Sequence, residues 1–228
     1  NRPFIKIFEE ERELTNVLMI DVSASNVFGT KVQFKSDMIV EIAAVLAFSA
    51  IHNNDKVGVI FFSNKVEKFI PPAKGRKHIL RIISELLNFE AEEKGTDISE
   101  ALRYLTNAIK KKATVFVLSD FMDHDFRKAL RIANNKHDVV GIHIYDHREQ
   151  EIPSLGLIRV KDAESGKEQL LDTALPKIRA SYMRWWKEHQ AFIYQGFASA
   201  GVDYTSIATD KDYVVQLLNL FKMRESRY

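Results

Sequence analysis

The 228-residue sequence predicts an α/β fold: a doubly wound, mostly parallel sheet with one antiparallel edge strand and helices on both faces. Three observations lead there. Short β-rich apolar runs alternate with longer stretches of helical periodicity. The runs are apolar throughout, as in strands covered on both sides. One pair of runs lies close enough for a hairpin, and two prolines mark its end.

In chain order, Val17-Leu18-Met19-Ile20 is a buried strand that runs into Asp21. A helix from about Lys31 to His52 follows, apolar on most sides. Asn53-Asn54-Asp55 is turn chemistry. Val57 to Phe62 is the second strand, Val66 to Ile70 its antiparallel partner, and Pro71-Pro72 the expected stop. A helix is expected from Arg76 to Leu87, then a polar loop to Gly95. Asp97 is placed to cap a helix from Ile98 to Lys110, with Glu100 completing a capping-box pattern. Lys110-Lys111-Lys112 reads as its solvated, cationic C-terminus.

Thr114 to Leu118 is a third buried strand, ending at Ser119-Asp120. A helix from Asp125 to Asn135 and a strand from Val139 to Tyr145 complete a core of about residues 12–150. The remaining residues, 151–228, carry a hairpin around Glu164-Ser165-Gly166-Lys167, a helix from Pro176 to Ala200 closed by Gly201, a strand from Val202 to Ile207 and a helix from Lys211 to Met223. With no repeat and no linker-like tract, the expectation is a single domain over 1–228. The non-Met start suggests the C-terminal part of a longer parent.

Composition narrows function. Thirty-three basic against 31 acidic residues give a net charge of only +2, which argues against a general nucleic-acid binder. There is no cysteine, hence no disulfide, thiolate metal site or Cys nucleophile, and a reducing, cytoplasmic setting suits the chain. The most apolar stretch, Met38 to Ile51, is too short to span a bilayer and is interrupted by Glu41, so no membrane insertion is expected. The nine glycines form no dinucleotide loop, P-loop or nucleophile elbow. His124, His137, His143 and His147 match no zinc spacing. Tyr182, Trp185 and Trp186 share one helical face that reads as packing.

One constellation carries chemistry. Beyond the first strand, alternation places Asp21, Ser23 and Ser25 on one side of a turn. Thr96 precedes a helix N-terminus, and Asp120 ends another buried strand. In a doubly wound sheet, ligands bind at the carboxyl ends of the strands beside the topological switch point. If these two strands are neighbours, Asp21, Ser23, Ser25, Thr96 and Asp120 converge. An all-oxygen set without His or Cys selects a hard divalent ion, Mg²⁺ first, then Mn²⁺ or Ca²⁺. Hydroxyls are neutral donors, so an incoming Glu or Asp carboxylate completes the shell. Asp97, as a cap, and Ser119, at the strand end, belong to the surroundings of the site.

These residues resemble the metal-ion-dependent adhesion site of von Willebrand factor A domains: D-x-S-x-S, a later Thr and a strand-end Asp. The likeness extends to Phe8 through Thr15, Gly95-Thr96-Asp97-Ile98, Leu118-Ser119-Asp120-Phe121 and His137-Asp138-Val139-Val140, followed by Asp146 to Pro153. Asp55-Lys56-Val57-Gly58 and Ile70-Pro71-Pro72 fit as well. Together they resemble the prokaryotic family known as domain of unknown function 58 over nearly the whole chain. Two departures stand out: an upstream Tyr-Pro-Gly-Asp-type segment is missing, and Asn26 stands where Met is frequent. The resemblance implies a von Willebrand A-like fold, and a non-enzymatic module working with MoxR-type AAA+ ATPases in chaperone-like assembly or metal insertion complexes. The alternative is a Mg²⁺-dependent phosphohydrolase with Asp21 as nucleophile. Enzymes of the haloacid-dehalogenase type need a second Asp two residues on, where this chain has Ser23.

Overall fold

The computed structural model describes residues 13–27, 34–93, 95–123, 125–161 and 167–227. The expected helix start at Lys31, His124 and the Glu164–Gly166 turn lie outside the described residues. Eight strands are described: β1 Thr15–Asp21, β2 Lys56–Phe62, β3 Val66–Ala73, β4 Thr114–Ser119, β5 Asp138–Tyr145, β6 Leu157–Lys161, β7 Glu168–Asp172 and β8 Asp203–Ala208. Six α-helices accompany them: α1 Lys35–His52, α2 Arg76–Asn88, α3 Ile98–Ala108, α4 Arg127–Lys136, α5 Pro176–Ala200 and α6 Tyr213–Glu225.

The main sheet has the order β3-β2-β1-β4-β5-β8, and β6 and β7 form a separate antiparallel pair. All neighbours in the main sheet are parallel except β2 and β3. This is the von Willebrand A-like, doubly wound architecture that the sequence predicts. The chain leaves β1 for β2 on one side and returns to β4 on the other, so the switch point lies between β1 and β4. Register pairs Asp21 with Phe62 of β2 and Ile20 with Leu118 of β4. Asp21 and Asp120 therefore emerge side by side at the carboxyl edge.

Continuous apolar runs are required because both faces are covered. Leu18 and Ile20 of β1 pack with α1, α2 and α6, whereas Val17 and Met19 pack with α3, α4 and α5. Phe116 and Leu118 of β4 divide from Val115 and Val117 in the same way. At the amino edge, buried Asp55 accepts from Leu14 N (3.0 Å) and Asn16 Nδ2 (3.3 Å), tying the α1–β2 turn to the start of β1.

Two expectations are corrected. Pro71-Pro72 does not stop β3, which continues to Ala73. Because β3 is an edge strand, its outer side has no ladder to lose. The register also slips there: Val57 faces Ala73 while Val59 faces Ile70. Gly58 sits opposite the prolines, and a Cβ on it would lie 2.8 Å from Pro72 Cγ. The second correction concerns α3, which ends at Ala108 rather than Lys110. Burial of Ile109 pulls the chain into an extended conformation, so Lys110-Lys111-Lys112 lie in the exposed loop to β4.

Among the described residues, no helix is long and apolar enough to cross a membrane. Gly201 closes α5 in the left-handed region at φ 65°. Trp186 is buried and Trp185 is 46% exposed, so the aromatic face of α5 is only partly used in packing.

The tightest β–α approach is at Gly141 of β5, where a Cβ would meet the Phe197 ring of α5 at 2.4 Å. Gly141→Ala is expected to destabilise the fold by roughly 1–3 kcal/mol through overpacking, read as a lower midpoint in chemical denaturation with an unchanged slope.

Candidate metal centre and its lysine

The site is built by strand ends whose turns are held by their own side chains. Asp21 Oδ1 accepts from Ser23 N at 2.9 Å, and Asp21 Oδ2 accepts from the Ser119 hydroxyl at 2.5 Å. Ser119 Oγ also accepts from Phe121 N at 2.8 Å, so one hydroxyl links both strand ends. Asp120 Oδ1 accepts from Met122 N at 3.2 Å. Phe121, between them, takes a left-handed φ of 53°, unusual for an aromatic residue. Its ring is buried against Phe126 and Phe197, which holds the turn that aims Asp120.

Two of the hydroxyls meet at the strand ends. Ser23 Oγ and Ser25 Oγ are 3.0 Å apart, and the Ser25 hydroxyl also hydrogen-bonds Asp120. The Thr96 loop is pinned on two sides. Asp97 N donates to Ser63 O, just past β2, at 2.9 Å, and Ile98 N donates to Asp123 Oδ2, just past β4, at 2.9 Å. Asp97 caps α3 by accepting from Glu100 N at 2.7 Å. The reciprocal half of the expected capping box is replaced: the Glu100 carboxylate pairs with Arg103. Thr96 Oγ1 is buried and has no hydrogen-bond partner among the described residues.

Sequence reasoning missed the cation. Lys35, at the first position of α1, is fully buried and donates to Asp120 Oδ2 at 2.7 Å and Glu149 Oε1 at 2.6 Å. A signal existed: the buried positions Met38, Ile39, Ile42, Ala43 and Leu46 extrapolate back by helical spacing to 35. Glu149 belongs to a 3-10 turn after β5, capped by buried Asp146, which accepts from Arg148 N at 2.8 Å and from Thr209 Oγ1 at 2.8 Å. Asp146 N donates to Glu149 Oε2 at 2.9 Å, which leaves Oε1 for the lysine. Asp146-x-x-Glu149 is itself a capping-box pattern readable in the sequence.

Electrostatics separate the two aspartates. Burial, then the neighbouring charge of Asp120, pushes Asp21 up to about 7, against the opposing hydrogen bonds from Ser119 and Ser23. Burial also acts to raise Asp120, but the charge and hydrogen bond of Lys35, with help from Ser25 and Met122 N, hold it below the ordinary carboxylate range. Burial raises Glu149 in spite of Lys35. Burial likewise drives His143 down to about 3, a neutral core histidine whose Nδ1 meets Ser206 Oγ at 2.9 Å.

No cluster of three or more His, Cys, Asp or Glu able to hold a metal occurs among the described residues. The candidate set is of another kind: the Asp21 carboxylate, the Ser23 and Ser25 hydroxyls and the unsatisfied Thr96 hydroxyl. These are hard oxygen donors of the type Mg²⁺ takes. The orphaned Thr96 Oγ1 in particular fits a ligand to such an ion. Asp120, engaged by Lys35 and Met122 N, fits a contact through water better than direct ligation.

A family profile described as protein of unknown function DUF58 matches residues 1–192. The chain belongs to that family. Its relatives in the family include an uncharacterized protein of Mycobacterium bovis, Mb1516, 27% identical over 97% of this chain and 71% of that protein. In structure, the DUF58 chain is similar to the conserved hypothetical protein BatB of Bacteroides thetaiotaomicron, with a TM-score of 0.62 at 15% identity over 93% of this chain and 98% of that one. It is also similar to an aerotolerance-related membrane protein of Bacteroides fragilis, with a TM-score of 0.61 at 15% identity over 90% and 96% of the two chains. Both likenesses speak to the fold.

Thr209 spans from the end of β8 to the carboxylate that organises the Glu149 turn. Thr209→Val removes that donor at nearly constant volume and is expected to cost about 1–3 kcal/mol, since a buried carboxylate oxygen loses a hydrogen bond. Thermal unfolding of the two proteins side by side checks this.

Proposed function

We propose that this protein is a divalent-metal-dependent interaction module that captures an acidic side chain of a protein partner. The von Willebrand A-like fold is in general that of a protein-interaction module, and the supporting observation here is the unsatisfied, buried Thr96 Oγ1, on a loop that Asp97 N ties to Ser63 O just past the strand paired with Asp21. In this reading Ser23, Ser25 and Thr96 hold the ion, Asp21 ligates it directly or through water, and Asp120 contacts it through water. A bound Mg²⁺, with Mn²⁺ or Ca²⁺ as substitutes, supplies an open position for a carboxylate. Because the hydroxyl ligands are neutral, the site leaves the ion short of negative charge, which favours an anionic sixth ligand. Ser119 positions Asp21, and Asp97 fixes the loop that carries Thr96.

The partner we propose is a MoxR-type AAA+ ATPase assembly, in the cytoplasm where ATP is supplied, and the module itself turns nothing over. A phosphohydrolase with Asp21 as nucleophile is the rival reading. It lacks a general acid two residues on, where Ser23 stands. Asp21 is moreover buried, with its two carboxylate oxygens already accepting from Ser23 N and the Ser119 hydroxyl.

Mg²⁺ at about a hundred times its dissociation constant is expected to stabilise the protein by roughly 2.7 kcal/mol, and Ser23→Ala/Ser25→Ala and Thr96→Val to abolish most of that gain. Unfolding curves with Mg²⁺ and with chelator read this directly. In a pull-down, retention of the ATPase is expected only with metal and only by the wild type, and retention that is equal with metal, with chelator and in the double Ser variant overturns the reading. Turnover of an aryl phosphate that disappears in Asp21→Asn favours the rival.

A further inference from the structure

Lys35 has a position that ordinary packing does not explain. An ammonium is costly to bury, and this one is taken fully out of water at the first turn of α1. It does not pair with one carboxylate but bridges two, Asp120 Oδ2 at 2.7 Å and Glu149 Oε1 at 2.6 Å. The two partners differ in kind. Asp120 lies among the hydroxyls of the candidate metal centre and accepts from Ser25 and Met122 N. Glu149 stands outside it, on a turn fixed by Asp146, with its other oxygen already held by Asp146 N. A cation shared between a site carboxylate and an outside carboxylate can withdraw to the outside one without losing all of its charge compensation.

We propose that Lys35 is the resident cation of the metal centre, competing with the divalent ion for Asp120, and that Glu149 receives the ammonium when the ion is held. The inference rests on the metal-binding reading above. Lys35 is thereby a positioning residue, and it couples metal occupancy to the N-terminus of α1 and the Asp146–Glu149 turn. The physical basis is mutual repulsion. Two cations next to one carboxylate in a dry site disfavour each other, and removing either raises the affinity for the other.

The test is Mn²⁺ binding to the full chain, measured by calorimetry and by the electron paramagnetic resonance signal of free Mn²⁺. Lys35→Met is expected to bind at least tenfold tighter than wild type, because it removes the competitor and frees Asp120. Glu149→Gln is expected to bind at least threefold weaker, because the ammonium then has only Asp120 to hold. Lys35→Met leaves two buried carboxylates unpaired and can lose its fold, so Lys35→Met/Glu149→Gln is measured with it. This double variant removes one charge of each sign and is expected to bind tighter than wild type as well. Far-UV circular dichroism confirms that each protein is folded. Wild-type binding that Lys35→Met/Glu149→Gln leaves unchanged or weakens overturns the competition while leaving the metal centre standing. Glu149→Gln binding as tightly as wild type overturns the receiving role of Glu149. Absence of Mn²⁺ binding in all four proteins overturns the metal centre and the competition with it, whereas binding that emerges only when Lys35 is gone supports both.

Discussion

Two buried carboxylates, Asp21 and Asp120, lie within electrostatic reach of each other, and the rest of the carboxyl edge is arranged around that fact. Adjacency of β1 and β4 puts them there, and like charges side by side in a dry place disfavour each other. The chain answers differently for each. Asp21 is given neutral donors, a backbone N–H and the Ser119 hydroxyl, and keeps a raised affinity for its proton. Asp120 is given a full positive charge. The result is a pair whose members have oppositely shifted proton affinities and unlike partners, with the Ser23 and Ser25 hydroxyls in contact between them.

Much of this was legible in residue order, because the governing rules are local. The apolar runs at 17–20 and 115–118 need cover on both sides, which is enough to imply parallel strands between helix layers. Asp21 and Asp120 follow those runs directly, so their convergence depended only on strand adjacency. Asp97 was recognisable as a cap because capping needs only its immediate neighbours.

What the pattern left unread depends on contacts between distant parts of the chain. Lys35 pairs with residues 85 and 114 positions away, and no local rule distinguishes it from a solvated lysine except its place on the buried face of α1. Placing Asp120 among the converging oxygens therefore overlooked a cation already beside it. Glu100 illustrates the reverse: its spacing fits a capping box, yet Arg103 and the Ser63 carbonyl supply alternatives that only the folded neighbourhood provides. The prolines of β3 misled for the same reason, since whether a missing N–H matters is decided by which strand lies at the rim.

That rim strand also constrains how the protein can associate. An uncovered sheet border is a template on which another chain can add as an extra strand, the route to uncontrolled oligomers. Pro71 and Pro72 offer no N–H along β3, and the slipped register at Gly58 interrupts the regular spacing that an incoming strand needs. Recruitment by main-chain pairing is thereby discouraged on this flank, which separates the β3 rim from the opposite border of the sheet at β8.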